Sequence, residues 1–434
     1  MRERSTRFTL VAVLALASSG AFAQHAPSPS PASPFSFDIY GDSRTMMYVP
    51  YRSDQEPAAR DLIKQIFELV MPPAEAAQVA EKDVRLVYDP AHDNELSEIV
   101  MPFMTASEVM TLKVDKGWVT EASVEDVKLL PGVHRTMFRL EGGEWVTREI
   151  VRDVRSGKAK FILSTGDFIW WGAQGGKPFD NPYWQRVDDE LLKQLPPPDQ
   201  GLRAAGIDGR VIASPGNHEV WADPHLDGFF TAFPYLKKLG ATEQNLTYKF
   251  DYGGVRFIFL WTGHFDARDE TGWSATRPTY EEQMKQLRTW LDQAKATGIK
   301  KAFIVFHNAT FSNSGMGPIP EAQNPHKTIA AYATDMDIVV VNGHIHSTQL
   351  YQVDGVKYLV IGGGGAEQDP ILPGRTSIAM PAGYPPELYW KGAPPLEEYN
   401  YVHVDVRPGK PTAFTLYRFR PWSAEPFATV ELFK

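Results

Sequence analysis

Five short apolar segments of this chain end abruptly in polar or glycine-bearing turns, and this pattern constrains the fold more than any other feature. Each segment has four to six residues, mostly aliphatic, β-branched or aromatic, which is typical of buried strands. In open α/β sheets, ligands bind beyond the carboxyl ends of the strands, so these turns are expected to share one site. The segments with their turns are 35–44, 160–167, 211–219, 302–308 and 338–346.

Helical patterns lie between these strands, which predicts a layered α/β fold. The clearest helix runs from Thr279 to Thr297, where Thr279 and Glu282 form a candidate capping box and Gly298 is a typical stop. A second helix is expected from Ser53 to Val70. The C-terminal part is different, because a hairpin at 351–358 is followed by strand patterns near 358–361, 400–406, 413–420 and 427–433.

The first two strand ends, at Asp42 and Asp167, are 125 positions apart, far more than one crossover needs. We therefore expect residues 46–158 to form an insertion after the first strand. Within it, Arg135 to Ile150 looks β-like around a Gly142-Gly143 turn. The insertion could be a packing decoration or oligomer contact, or a lid that selects the substrate, and no motif in it favours either.

The N-terminus has the pattern of a cleavable export signal. Three arginines precede an apolar run from Phe8 to Ala17, and Ala21-Phe22-Ala23 matches a signal-peptidase site. Residues 1–23 are thus predicted to be a signal peptide, 24–34 a Pro/Ser-rich linker and 35–434 the folded domain. The protein would be periplasmic or secreted. The apolar run is about half of the roughly 20 residues that span a bilayer, so stable membrane insertion is not expected.

Composition excludes several classes of chemistry. The chain has no cysteine, which rules out a thiol nucleophile, a disulfide framework and Cys-ligated metal. The net charge is −9, and because the leader carries three Arg and one Glu, its removal makes the charge −11. Such an acidic chain is not expected to bind nucleic acid.

The five strand ends together offer a mixed set of oxygen and imidazole donors, which suits Zn, Mn or Fe. Two histidines two positions apart on extended chain point to the same side. One aspartate at a central strand end could bridge two cations, and such a pair generates hydroxide and neutralises a phosphoryl group under attack. Phosphate ester hydrolysis follows. The candidate ligands are Asp42, Asp167, Asn217, His307, His344 and His346.

In this order, the motifs GD-x-R, GD, GNHE, a strand-ending His and NGHIH resemble those of the calcineurin-like metallophosphoesterase superfamily, which includes the purple acid phosphatases. The resemblance runs from Asp42 to Gly365. It implies a four-layer α-β-β-α sandwich with two mixed, facing sheets and a binuclear metal centre.

The resemblance also implies a role for each matching residue. Asp167 would bridge the two metals. Asn217, His307 and His344 would complete the shell of one metal. Asp42 and His346 would complete the other. His218 would lie beside the substrate and protonate the leaving oxygen or stabilise the developing charge.

Two positions depart from the family pattern. The usual first motif is D-x-H, but Arg44 stands at the histidine position, and Trp170 stands where purple acid phosphatases have a ligating Tyr. One metal would therefore lack a ligand or be weakly held, unless another residue completes its shell. His264 could be that ligand or lie behind the ligands, although a simple loop position is favoured for it. Many relatives also have an Asp at the Trp170 position that orients the catalytic His, which leaves the orienting partner of His218 open. The adjacent Glu219 could point away from it.

Three further features each have two readings. Arg44 could clamp the substrate phosphate bidentately, or pair with Asp42 or another carboxylate and only shape the loop. Gly362 to Gly365 could cradle phosphate, although close packing beside the metal loops is favoured. Several tryptophans could line a pocket for an aromatic or nucleoside leaving group, or belong to the core. These are Trp170, Trp171, Trp184, Trp221 and Trp273.

The sequence thus predicts an exported metal-dependent phosphoesterase. Two divalent or trivalent transition-metal ions (Zn, Mn or Fe) are the expected cofactors, and a metal-bound hydroxide is the expected nucleophile. The substrate would be a small phosphate monoester or diester. The alternative is a catalytically weak or inactive binding protein of the same fold with an incomplete first metal site. The sequence does not indicate an oligomeric state.

Overall fold

The structure is a computed structural model that describes residues 33–44, 47–68, 71–102, 108–126, 134–139, 141–172, 181–262, 278–314, 317–366, 399–420 and 425–433. The predicted signal peptide, most of the linker, His264 and Trp273 lie outside these residues.

Strands and helices alternate through most of the described chain. The helices are α1 (Glu56–Glu68), α2 (Pro73–Lys82), α3 (Glu141–Ser156), α4 (Pro182–Glu190), α5 (Gln200–Ala204), α6 (Asn217–Val220), α7 (Asp227–Ala232), α8 (Tyr280–Ala296) and α9 (His326–Ala330). The strands are β1 (Phe35–Tyr40), β2 (Arg85–Asp89), β3 (Glu95–Pro102), β4 (Glu108–Asp115), β5 (Trp118–Asp126), β6 (His134–Arg139), β7 (Ile162–Ser164), β8 (Val211–Ala213), β9 (Tyr248–Tyr252), β10 (Val255–Phe259), β11 (Lys301–Val305), β12 (Asp337–Asn342), β13 (Thr348–Val353), β14 (Val356–Ile361), β15 (Tyr399–Val406), β16 (Ala413–Phe419) and β17 (Ala428–Leu432).

Two six-stranded mixed sheets form the centre of the fold. The first has the order β17-β16-β15-β1-β7-β8, in which β1, β7 and β8 are parallel and the others antiparallel. The second has the order β13-β14-β12-β11-β10-β9, with antiparallel strands at both edges. Of the five strands whose ends were singled out in the sequence, four lie in the interiors of these sheets, and β8 lies at an edge of the first sheet.

The two sheets face each other across an aromatic layer. The Phe37 ring of β1 lies 5.4 Å from Phe257 of β10 and 5.2 Å from Phe303 of β11, nearly perpendicular to both. Because side chains alternate along a strand, the neighbouring Ile258 and Ile304 belong to a second core cluster, beneath α8. On the outer side of the first sheet, α3 contacts β15 and β16. The predicted α/β fold with two mixed sheets is confirmed, and the helices on the outer faces agree with the predicted four-layer α-β-β-α arrangement.

A third, antiparallel sheet of the order β2-β3-β4-β5-β6 lies in the segment between β1 and β7, together with α1 and α2. Its two expected roles, a lid over the site or a packing decoration, both stay predictions. The expected β-like stretch from Arg135 to Ile150 is wrong beyond Arg139, because α3 begins at Glu141. Gly142 and Gly143 lie in its first turn and form no hairpin. The reason is the helical spacing of buried side chains further along, at Val146, Ile150 and Val154.

Other expected elements are confirmed. Thr279 caps α8, accepting the N–H of Glu282, whose carboxylate accepts the N–H of Thr279 in return. The C-terminal hairpin is formed by β13 and β14. Among the described helices, none combines the length and apolar character needed to cross a bilayer.

Candidate metal centre

The turns after β1 and β7 bring two aspartates to the same edge of the first sheet. Asp42 and Asp167 both adopt left-handed backbone conformations, each with φ of 55°, which Asp tolerates better than most residues. The Asp42 N–H donates to the Gly166 carbonyl over 3.0 Å, so the two turns are joined. Both carboxylates are buried, with at most 1% of either residue exposed.

Three donor atoms converge from the turns after β8, β11 and β12. The Asn217 Oδ1 lies 3.0 Å from His307 Nε2 and 3.0 Å from His344 Nδ1, and the two histidine nitrogens are 3.2 Å apart. Ligands at about 2.0–2.1 Å from a tetrahedral zinc ion are separated by about 3.3 Å. These three atoms therefore have the spacing of one face of a metal's coordination shell.

The tautomer of His307 suits this arrangement. Its Nδ1 lies 2.8 Å from the carbonyl oxygen of Thr165, and because a carbonyl only accepts, Nδ1 must carry the hydrogen. In the neutral ring, the lone pair of Nε2 is then available on the side of Asn217 and His344. Such a bond from the remote nitrogen is the usual way in which proteins orient a ligating histidine.

A second donor group adjoins the first. Ligand atoms of Asp42, Asp167 and His346 all lie within 4.8 Å of one another, and His346 Nε2 is 3.5 Å from Asp42 Oδ1. Asp167 Oδ2 is also 3.4 Å from His307 Nε2, so Asp167 touches both groups. All six predicted ligands are thus brought together, in a nitrogen and oxygen set that fits transition metals.

The electrostatics of these donors favour cation binding. Burial raises the pKa of Asp42 to about 7. Burial opposes the charge of His307, but the adjacent Asp167 raises its pKa to about 9. Conversely, although burial works against ionisation of Asp167, the charge of His307 holds its pKa well below the usual value. Protons thus occupy the place of cations in this cluster, and a metal ion would displace them.

The ring of His218 is oriented by a backbone carbonyl. Its Nδ1 donates to the carbonyl oxygen of Trp170 over 2.8 Å, and its Nε2 lies 3.8 Å from Asp167 Oδ2. Burial and the charge of Arg44 hold the His218 pKa well below its usual value. The orienting partner that the sequence left open is therefore the main chain of the residue that replaces the family's aspartate.

Glu219 points away from the His218 ring. Its buried carboxylate accepts three backbone N–H groups, from Asp167 at 2.9 Å, Phe168 at 2.7 Å and Gly216 at 2.7 Å. Burial and the Asp167 charge raise its pKa to about 7. Glu219 therefore ties the turn after β7 to the turn after β8. Sequence reasoning assigned it no role, because its polar neighbours Asn217 and His218 give no indication that its carboxylate is buried against backbone N–H groups.

Arg44 is buried within the same cluster. It is 5% exposed, and its positive charge partly offsets the rise that burial causes in the pKa of Asp42 and adds to the lowering of the pKa values of Asp167 and His218. Both readings of Arg44 are compatible with a position beside these carboxylates, so the clamp stays a prediction.

The glycine run packs against the loops of the centre, as favoured from the sequence. The Gly364 N–H donates to the Gly41 carbonyl over 3.0 Å and the Ala366 N–H to the Asp42 carbonyl over 2.8 Å. A Cβ at Gly362 would meet the Ile345 carbonyl and lie 3.0 Å from Asp42 Oδ2. Close backbone approach accounts for glycine at these positions.

Comparison with known proteins agrees with this geometry. The family model of calcineurin-like phosphoesterases matches residues 133–348, a range that contains every candidate site residue from Asp167 to His346 and begins after Asp42 and Arg44. This match and the donor clusters support the calcineurin-like phosphoesterase superfamily for this chain. No curated protein matches the chain.

Solved structures with similarity to the chain include a purple acid phosphatase from yellow lupin seeds (Lupinus luteus), at 12% identity and a TM-score of 0.47. The match covers 93% of this chain and 55% of that one, so the chain spans about half the length of the lupin protein. A dimetal phosphatase from Danio rerio is 11% identical, with a TM-score of 0.42 and coverage of 69% and 91%. GAP50, the anchor in the inner membrane complex of Plasmodium, is 15% identical, with a TM-score of 0.43 and coverage of 67% and 84%.

Proposed function

We propose that this protein is an exported phosphoesterase that hydrolyses a small phosphate monoester or diester at a two-metal centre. The observation that carries the proposal is the convergence of Asn217 Oδ1, His307 Nε2 and His344 Nδ1 within 3.0–3.2 Å of one another. Two ions of Zn, Mn or Fe held there would lower the pKa of water and neutralise phosphoryl charge.

In this proposal, the chain's own residues divide the work as follows. Asn217, His307 and His344 would hold one ion and Asp42 and His346 the other, with Asp167 within reach of both groups. Arg44 binds the phosphate oxygens and so supplies positive charge where the family's histidine ligand is absent. His218, held by the Trp170 carbonyl, faces the leaving oxygen and stabilises or protonates it. The buried surroundings strengthen each of these interactions.

The test uses the purified protein, with its metal content measured by mass spectrometry and 4-nitrophenyl phosphate and its bis-ester as substrates. We expect one to two equivalents of transition metal and hydrolysis that a chelator abolishes. His307→Asn should lose metal and at least about 100-fold in kcat/KM, since ligands and their orienting partners commonly contribute at this level. The matched control His225→Gln changes an exposed histidine and should do neither.

A protein that folds normally, contains no metal and turns over neither ester would contradict the proposal. That result would support the alternative of a binding protein, to which Arg44 and Trp170 at ligand positions point. Export is checked separately, because cleavage after Ala23 leaves Gln24 as the N-terminal residue, which mass spectrometry of the protein recovered from a bacterial host would show.

A further inference from the structure

Two partly exposed tryptophan rings flank the imidazole of His218. The Trp221 ring centroid lies 4.0 Å from that of His218, and the Trp170 centroid lies 5.8 Å from it. Both tryptophans keep part of their surface in solvent. By contrast, Trp171 is only 3% exposed and packs behind them, 5.8 Å from each ring. The aromatic surface beside His218 is therefore made of Trp170 and Trp221.

Hydrogen bonds hold this aromatic surface in place. The Gly172 N–H donates to the Trp221 carbonyl over 2.8 Å, which joins the segment after β7 to the segment after α6. The buried Asn181 side chain donates to the carbonyls of Trp171 at 3.1 Å and Gly172 at 2.9 Å. A surface fixed in this way loses little conformational freedom when a ligand packs on it.

The position of this surface relative to His218 determines what it can contact. In the proposed function, His218 faces the oxygen of the leaving group, so the organic part attached to that oxygen must lie next to the His218 ring. That is where the rings of Trp170 and Trp221 lie. Flat aromatic rings favour packing against other flat rings, through offset-stacked or edge-to-face contacts.

We propose, on the basis of the proposed function, that Trp170 and Trp221 form a stacking surface for the leaving group. The preferred substrates are then phosphate esters of alcohols that carry a planar aromatic ring, whether aryl or nucleobase. The acidic character of the chain, with a net charge of −9, favours such small esters over nucleic acid polymers.

The test compares two pairs of esters that differ in ring planarity and little in leaving-group acidity. The first pair is 2-phenylethyl phosphate and 2-cyclohexylethyl phosphate. The second is uridine 5′-monophosphate and its 5,6-dihydro derivative, which distinguishes a nucleobase from a simple aryl group. For the metal-loaded full-length protein, we expect kcat/KM to favour the planar member of at least one pair by about tenfold, the effect of one stacked ring.

The same ratio is then measured in variants, because it is independent of any general loss of activity. Trp221→Leu should reduce the preference to less than about twofold. Trp170→Leu should also reduce the preference, and it keeps the backbone carbonyl that holds His218. This variant replaces Trp221→Leu in the test if Trp221→Leu folds poorly. The control Trp290→Leu, on a partly exposed tryptophan of α8, should keep the preference of the unaltered protein.

The outcomes separate this inference from the function on which it rests. Equal rates for the members of both pairs, or a preference that persists in Trp221→Leu and Trp170→Leu, would overturn the stacking surface and leave the phosphoesterase intact. If none of the esters is hydrolysed in a chelator-sensitive way, the stacking surface and the proposed function are both overturned.

Discussion

At the scale of single residues, Arg44 is the most informative departure from the family pattern. It is a buried cation close to Asp42, Asp167 and His218. A buried guanidinium is costly unless it meets an anion. The carboxylates already present satisfy part of this requirement, and in the proposed function the substrate phosphate satisfies the rest. The two readings of Arg44 differ in what its removal does to catalysis.

We predict that Arg44→Ala lowers kcat/KM for phosphate esters by about 100-fold, since a charge-assisted bidentate contact is lost. The bound metal should stay or increase, because a repulsive charge has been removed. Steady-state kinetics with parallel metal analysis checks this.

Arg44→Lys should recover only part of the activity, as an ammonium lacks the planar fork. The control Arg52→Ala removes an exposed arginine and should have no effect. Unchanged kinetics in Arg44→Ala would favour the reading in which Arg44 only shapes the loop.

At the scale of elements, the candidate centre depends on turns that are bonded to each other. The turn after β1 bonds to the turn after β7 through Asp42 and Gly166. The turns after β7 and β8 are joined by the bonds from the Asp167 and Phe168 N–H groups to Glu219, and the bond from Gly216 holds Glu219 within its own turn. The turn after β12 is joined to the turn after β1, because the His344 N–H donates to the Asp42 carboxylate over 3.0 Å. Each turn therefore limits the freedom of the next.

Glu219→Gln tests this linkage. A glutamine amide has one oxygen and one NH₂ group, so at least one of the three backbone N–H groups would face a donor. Leaving a buried group unsatisfied costs about 1–3 kcal/mol, and we expect a loss of this size in the free energy of unfolding, together with lower metal occupancy. Urea unfolding in chelator at pH 8, above the raised pKa of about 7 of Glu219, measures the free energy of unfolding.

The matched control for this prediction is Glu281→Gln, at an exposed position of α8, which should unfold like the unaltered protein. If Glu219→Gln is as stable and binds metal as well as the control, the linkage of the two turns does not depend on Glu219.

At the scale of the whole molecule, a buried polar cluster joins the first sheet to the helix that covers it. His403 of β15 bonds to Asp38 of β1, with Nδ1 2.7 Å from Oδ1. Asp153 of α3 lies beside them and accepts hydrogen bonds from Tyr401 at 2.9 Å and Lys158 at 2.6 Å. Burial raises the pKa of Asp38 to about 6.

This shift predicts a pH dependence of stability. An acid with a higher pKa in the folded state binds protons more readily when folded, so its contribution to the free energy of unfolding falls as pH rises from about 4 to about 6. Between pH 4.5 and 6.5 the fall amounts to about 2 kcal/mol for Asp38. Asp38→Asn should remove this fall, because its Oδ1 still accepts from His403 but no longer titrates. Urea unfolding at both pH values in chelator checks the difference.

The control Asp61→Asn, at an exposed position of α1, should keep the pH dependence of the unaltered protein. If Asp38→Asn shows the same fall as the control, groups other than Asp38 cause it.

Much of the fold and of the candidate centre could be predicted from the sequence. Apolar strands ending in Asp, Asn and His are visible along the chain, and the structure places Asp42, Asp167, Asn217, His307, His344 and His346 together as that pattern indicated. The pattern is informative because a strand's residue types fix where it is buried and where it ends. Parallel strands, in turn, bring their ends to a common edge.

Only the tertiary structure decided what completes and supports these donors. The Trp170 carbonyl that orients His218 has no signature in the sequence, because every residue carries the same carbonyl. The three bonds to Glu219 and the contact of Trp221 with His218 depend equally on how separate turns pack. The turn expected at Gly142 and Gly143 is wrong for the same reason, since glycine suits a turn and also a closely packed helix, and a Cβ at Gly143 would lie 3.3 Å from the Gly365 Cα. The chemistry of each side chain can be read from the sequence, whereas the hydrogen-bond partners of the backbone are set by how the chain packs.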